Sequence, residues 1–220
     1  MAALAPAGAM APSKTCPLAQ FPPQKPMKQN IYDEPESSFS RDGASSMLLE
    51  TPRLRLQPLS MDDVPALAAI LADPAVMKHS VGGVCDELAT RDFINWCRES
   101  YAAHGVGSWA LVDKNDSSLI GFCGVGPELV NGVEEMNLGY RLATRYWNKG
   151  LATEAAKAVL AHAFRGRGMG SVIVIIEPDH VASLKVAENA GFRQFHSITF
   201  HGRSVRLYRL RRADWLNAVS

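Results

Sequence analysis

The chain has 220 residues, with 23 Lys+Arg against 22 Asp+Glu and a formal net charge of +1, a length that favours one domain with at most an appendage. At 47% hydrophobic and 20% charged residues it can build an ordinary core, which excludes wholesale disorder, and the near-neutral balance argues against a dedicated polyanion-binding protein. No run approaches the roughly 18 consecutive apolar residues of a membrane-spanning helix.

Residues 1–46 carry seven of the thirteen prolines, no sustained periodicity and charges that cancel. Such a segment buries too little apolar surface to offset its backbone entropy. It is expected to be a tail, disordered or draped over the domain, with Leu18, Phe21, Ile31, Tyr32 and Phe39 as the residues able to dock in a groove or on a neighbouring subunit. No basic stretch precedes Lys14, and Pro6 and Pro12 interrupt the apolar start, so a signal peptide is not expected. Cys16, Cys85, Cys97 and Cys123 form no C-x-x-C pair. They read as thiols of a reducing, cytoplasmic compartment, with no zinc site.

A domain is expected over residues 47–220. Arg53–Leu59 alternates polar and apolar residues as a strand does. Ser60 then suits an N-cap, Asp62 and Asp63 suit a first helical turn, and Val64, Leu67, Ala68 and Leu71 share a face of a helix over 61–72. A second helix is expected from Asp86 to His104, ended by Gly105 and Gly107. Strands follow at Trp109–Val112, Leu119–Val125 and Met136–Leu142, the first two joined by a turn at Lys114–Ser118. After a loop from Ala143 to Lys149, Thr153–Arg165 carries an apolar stripe of helical period, closed by Gly166 and Gly168. Ser171–Ile176 is a β-branched run typical of a strand buried on both faces. Val181–Ala190 reads as a short helix stopped by Gly191, and Phe192–Leu210 as two strands turning at His201–Gly202. The order is a mixed α/β sheet, mostly antiparallel, with one strand–helix–strand crossover and helices on both faces.

The most specific local feature is the loop Tyr146–Glu154 between a strand and an amphipathic helix. Gly150 permits close approach of a ligand, and the free N–H groups of a helix start favour phosphate oxygens. Arg145 and Lys149 add positive charge beside it. The loop matches neither the P-loop nor the dinucleotide-binding glycine pattern. The whole block Leu138–Ala155 (LGYRLATRYWNKGLATEA) resembles the acetyl-CoA-binding motif of the GNAT acetyltransferase superfamily, and within it the RimJ/RimL-like ribosomal-protein N-acetyltransferases. Thr51–Leu59 is similar to that family's opening strand, and Pro178–Phe192 to its late "N-x-x-S … GF" segment. The resemblance covers about residues 48–215 and implies the GNAT acyl-CoA N-acyltransferase fold.

It further implies direct transfer of an acetyl group from acetyl-CoA to a primary amine through a tetrahedral intermediate, without metal. The amine belongs to a protein N-terminus or a small molecule. On this reading the pyrophosphate rests on the backbone of Lys149, Gly150, Leu151, Ala152 and Thr153, with Arg145 and Asn148 beside it. The pantetheine arm pairs with the main chain at Leu142 and Ala143, where an N–H also serves the oxyanion. Asn137 stands where the RimJ/RimL-like pattern often has an acid, so Glu135, on the same strand face, is the first candidate base, followed by Glu134 and Glu128. Ala187 stands where many members carry a tyrosine acid, leaving Ser183 to steady the departing thiolate. His180 replaces the usual pantetheine-binding asparagine.

Trp96, Tyr101, Trp109, Tyr140 and Tyr208 are aromatic candidates for the acceptor side, though ordinary core positions for such residues are commoner. The arginine run Arg203, Arg206, Arg209, Arg211 and Arg212 would be split between two faces of a strand and lacks stacking aromatics, which argues against nucleic acid. Relatives of this kind are often homodimers, but no heptad or apolar strip in the sequence argues for one. The competing reading is a non-catalytic acyl-CoA-binding or interaction module, kept open by Asn137 and Ala187.

Overall fold

Eight strands hydrogen-bond into one sheet in the order β1-β2-β3-β4-β5-β6-β8-β7. The computed structural model describes residues 48–219, so the proline-rich stretch 1–46 lies outside the described residues. The strands are β1 (Leu49–Glu50), β2 (Leu54–Pro58), β3 (Ser108–Asp113), β4 (Leu119–Val130), β5 (Val133–Leu142), β6 (Ser171–Ile176), β7 (Phe195–Phe200) and β8 (Arg203–Arg211). All neighbours run antiparallel except β5 and β6, which are parallel and pair only at Asn137 opposite Ile173. A parallel pair requires a crossover, and the helix α4 (Leu151–Ala161) supplies it.

Strand alternation distributes the core over both faces. Leu54, Leu56, Trp109, Leu111 and Cys123 pack with Ala155, Ala156, Val159 and Phe164 on the α4 side. Their chain neighbours Ala110 and Phe122 point the other way, into a cluster with Leu67, Leu71, Phe93 and Ile94. That second cluster belongs to the helices α1 (Val64–Leu71), α2 (Pro74–Met77) and α3 (Glu87–His104). The helix α5 (Val181–Ala190) adds Ala187 and Ala190 to the α4 side, as α6 (Arg212–Val219) adds Trp215. The mixed, mostly antiparallel sheet with helices on both faces is therefore the observed architecture.

Several boundaries differ from the sequence expectation. Ser60 does begin the first helical segment, its backbone N–H donating to Asp63 Oδ2 at 2.8 Å, but Met61–Asp63 is a tighter 3-10 turn before α1. The strand expected to end at Val125 runs on to Val130, and its partner starts at Val133, because Asn131 and Gly132 (φ 50° and 80°) close a two-residue hairpin. The crossover helix starts at Leu151, two residues early, and its last turn widens to a π-turn at His162–Gly166. β1, α2 and α6 had no counterpart in the sequence expectation. Trp215 of α6 packs against Phe164 with ring centroids 5.4 Å apart. Cys85, Cys97 and Cys123 are buried thiols.

One clamp fixes the start of α4 to the far edge of the sheet. Glu154 accepts hydrogen bonds from Thr51 Oγ1 at 2.6 Å, from the Arg53 backbone at 2.9 Å and from Arg53 Nε at 2.7 Å. Arg53 Nη1 also donates to the Lys149 carbonyl at 2.8 Å. Burial pushes the Glu154 carboxyl up, but these bonds outweigh it and hold the group below the ordinary glutamate range. Its stabilising contribution is therefore present at neutral pH and lost as pH falls through that lowered value. Glu154→Gln is expected to lower stability by about 1–3 kcal/mol at pH 7, with the gap from wild type closing in strong acid. Urea midpoints at the two pH values test this, and a gap independent of pH would contradict it. At Gly124 an added Cβ would lie 2.1 Å from the Gly107 carbonyl oxygen. Gly124→Ala should therefore force β3 from β4 and cost about 1–3 kcal/mol, again read as a fall in urea midpoint.

Candidate functional site

The parting of β5 from β6 beyond Asn137 and Ile173 opens the sheet towards the C-terminal ends of both strands. Two cavities meet there. One, of about 470 Å³, is lined by Leu142, Asn148, Gly150, Leu151, Ala152 and Thr153 on one side and by His180, Ser183, Lys185 and Val186 on the other. The second, of about 200 Å³, lies on the α1–α3 face and includes Trp96, Glu128, Asn137, Gly139 and Glu177. Tyr140, Arg141, His180 and Ser183 border both.

In the larger cavity the chain turns sharply before α4. Asn148 (φ 59°) and Gly150 (φ 75°) are both left-handed, which bends the backbone around Lys149. The first intrahelical bond closes from Glu154 N–H to the Gly150 carbonyl at 3.0 Å, so the N–H groups of Leu151, Ala152 and Thr153 belong to the unsatisfied first turn. Trp147 Nε1 donates to the Leu142 carbonyl at 2.8 Å and pins the loop. Arg145 and Lys149 stand outside the lining, their cationic groups 5.0 and 5.3 Å from the centre of the Tyr146 ring. Ala143 departs from its expected role. Its N–H is already donated to the Ile120 carbonyl at 2.9 Å, so it has none to offer a ligand. Alternation along the strand turns the N–H groups of Tyr140 and Leu142 to the opposite edge, where β6 has parted. Lys185 was not expected from the sequence; its place on α5 two residues after Ser183 was the available signal.

The boundary between the cavities is built by α5 and the segment after α2. His180 precedes the first turn of α5, with Nε2 3.3 Å from Ser183 Oγ. The His180 ring stacks on His79 at 3.9 Å between centroids. Burial, with the neighbouring His79 and Arg141, depresses its pKa to about 4, so it is neutral at pH 7. His79 Nδ1 lies 2.7 Å from Glu177 Oε2, and Arg203 reaches the other Glu177 oxygen at 2.5 Å. His79, Glu177 and Asp179 bring ligand-type atoms within 4.8 Å of one another, but the Arg203 guanidinium already balances the Glu177 charge. Tyr140 Oη donates to the Ser183 carbonyl at 3.3 Å, and burial raises its pKa to about 12.

The carboxylates separate by environment. Glu135 forms a bidentate pair with Arg209, which lowers its pKa, and it lines neither cavity. Although it stands opposite Glu128 on the β4–β5 ladder, this fork of hydrogen bonds commits it to Arg209, contrary to its first rank among the sequence candidates. Glu128 lies in the smaller cavity, hydrogen-bonded by Asn137, and burial raises its pKa to about 7. Of the aromatic candidates, Trp96 and Tyr140 border this cavity, whereas Tyr101, Trp109 and Tyr208 do not. Trp109 and Tyr208 are core, and Tyr101 donates to the Ser108 carbonyl. The arginine run disperses as alternation requires, with Arg209 on Glu135, Arg203 on Glu177, Arg206 over the Phe195 ring and Arg212 on the Phe164 carbonyl.

Comparison with known proteins agrees with this architecture. Residues 53–193 match the family model described as an acetyltransferase (GNAT) domain. The Bacillus subtilis (strain 168) protein YkkB, itself uncharacterised, is 33% identical over 161 residues, 73% of this chain and 93% of its own length. An acetyltransferase structure from Agrobacterium tumefaciens str. C58 superposes with a TM-score of 0.65 at 25% identity, covering 84% of this chain and 99% of that one. RimL, a ribosomal L7/L12 alpha-N-protein acetyltransferase solved in complex with coenzyme A, shares the fold at a TM-score of 0.63 and 18% identity over 74% of this chain and 97% of its own. With more than half its length matched by the family model, the chain belongs to the GNAT acetyltransferase family.

Proposed function

We propose that the protein is an N-acetyltransferase that uses acetyl-CoA as acetyl donor and a primary amine as acceptor. The observation that carries this reading is the meeting of two unlike cavities at Tyr140, Arg141, His180 and Ser183. One ends in a helix start suited to phosphates, and the other holds a carboxylate raised to about 7. The acyl-CoA supplies an activated acetyl thioester. Its phosphates suit the N–H groups of Leu151, Ala152 and Thr153, with Asn148 and Gly150 shaping the turn and Lys185 adding charge across the cavity. The outward N–H groups of Tyr140 and Leu142 suit the amide arm and the thioester carbonyl.

An amine arrives largely as its ammonium form and must lose a proton before it can attack. Glu128 is the base this reading assigns, with Asn137 orienting it. A carboxyl near pKa 7 is a far better proton acceptor than one locked to arginine, as Glu135 is. Ser183 steadies the sulfur, and neutral His180 fixes the serine hydroxyl. Holding both reactants at the junction supplies the remainder of the rate.

Thiol release from acetyl-CoA with a panel of amines tests the assignment, and release that ignores every amine would reduce the protein to an acyl-CoA binder. Because Glu128 must be ionised to act, kcat/KM should rise as pH increases through about 7 and then level. Glu128→Gln should remove that limb and lower kcat by about 10²- to 10⁴-fold with little change in acetyl-CoA affinity. Glu135→Gln should instead cost stability while leaving the pH profile intact; the reverse pattern would return the base to Glu135.

A further inference from the structure

Arg141 is the one group at the junction whose charge the described residues do not answer. It projects from β5 on the same face as Asn137 and Gly139 and borders both cavities. Its Nη1 donates to the Tyr140 carbonyl at 2.7 Å and its Nη2 to Ser80 Oγ at 3.0 Å. Three of the five guanidinium N–H groups are left over, and Nε is sealed from solvent without a partner among the described residues. Burial works against its charge, and among the described residues no carboxylate ion-pairs with it. The two glutamates of the smaller cavity do not compensate. Glu177 is taken by His79 and Arg203, and Glu128 is raised to about 7 and so about half protonated at neutral pH. A desolvated cation without a counter-charge is costly to keep unless something anionic completes it.

Resting on the acetyltransferase reading above, we propose that the acceptor carries a carboxylate as well as its amine, and that Arg141 binds that carboxylate. The donor brings no anion to this place, since the phosphates belong at the start of α4 and the arm between β5 and α5 is an uncharged amide chain. A planar guanidinium with unused N–H groups matches a carboxylate. A carboxylate on Arg141 keeps the neighbouring amine at the junction, with Glu128 and the buried, unpartnered Asn137 Oδ1 further along the same strand face to receive its proton through water. Between them Gly139 leaves an open floor, since a Cβ there would meet nothing within 4 Å. The cavity, about 200 Å³, is smaller than a drug-sized pocket and suits a single amino acid with its side chain against Trp96 and Phe93. Polyamines and other polycations would meet Arg141 and Arg203 instead of a negative wall.

Matched pairs with and without the carboxylate test this: phenylalanine against phenethylamine, and 6-aminohexanoate against hexylamine. Binding is read by calorimetry on the full chain saturated with coenzyme A, which permits no turnover, and turnover separately with acetyl-CoA. The carboxylate member of at least one pair should bind about 30-fold or more tightly, the loss typical of truncating a buried charge pair. Arg141→Gln should abolish the difference within the pair, and Arg141→Lys should retain part of it. If Arg141→Gln does not fold, the wild-type comparison and the lysine variant still decide. Equal binding within both pairs would overturn the proposal, as would an Arg141→Gln variant that slows all amines alike, which would mark Arg141 as a partner of the departing thiolate. Turnover of carboxylate-free amines alone would overturn it while upholding the acetyltransferase. Arg141-dependent binding of carboxylates without any acetyl transfer would uphold the binding site and overturn the catalytic reading.

Discussion

A single parallel contact, Asn137 beside Ile173, governs the architecture of the site. Every other strand pair is antiparallel and holds a register over two or more residues. Here two strands that run the same way touch once and separate. The crossover that joins them sends α4 off the end of β5, while β6 feeds α5 through His180. Both helices therefore begin beside the same opening, at the carboxyl ends of the parted strands, where ligands of open α/β sheets gather. Extending the β5–β6 ladder would satisfy more backbone groups and close the molecule to its substrates.

Desolvation then sorts the ionisable groups at that opening into two kinds. Glu135, Glu154 and Glu177 are each held by an arginine, and each stays below the ordinary carboxyl range. They fasten β5 to β8, α4 to β2, and the end of β6 to β8. For Glu128, His180 and Arg141 burial is the largest influence, and no opposite charge outweighs it. The first kind accounts for shape and the second for chemistry. In the proposed reaction, that division is the reason Glu128 rather than Glu135, its partner across the β4–β5 ladder, is assigned as the base.

Much of this was legible in the sequence. The alternation of Arg53–Leu59, the β-branched run Ser171–Ile176 and the glycine-initiated helix after Lys149 each declare themselves by period and by turn residues. The larger cavity follows from that local signal, and Asn148, Gly150, Leu151, Ala152 and Thr153 all line it. What the sequence hid was pairing across long separations. Nothing local marks Arg209, 74 residues away, as the partner of Glu135, or Ile120 as the acceptor of the Ala143 N–H. The β4–β5 hairpin is a different kind of miss, since Asn131-Gly132 is a strong turn signal that charged and polar flanks at Glu128, Glu134 and Glu135 obscured. The short edge strand β1 and the closing helix α6 gain their order from what they pack on, not from their own propensity.

The doubly left-handed turn at Asn148 and Gly150 has a thermodynamic consequence. Arg53 grips the Lys149 carbonyl and the Glu154 carboxylate from the opposite edge of the sheet, and Trp147 is tied to Leu142. The cradle thus surrenders its conformational entropy when the domain folds, not when a phosphate arrives. A ligand entering it meets donors already aligned, so little of its interaction energy is diverted to ordering a loop. The corollary is that loosening this edge of the sheet would weaken the proposed binding of acetyl-CoA by restoring freedom to the turn, while every contact such a ligand could make is still available.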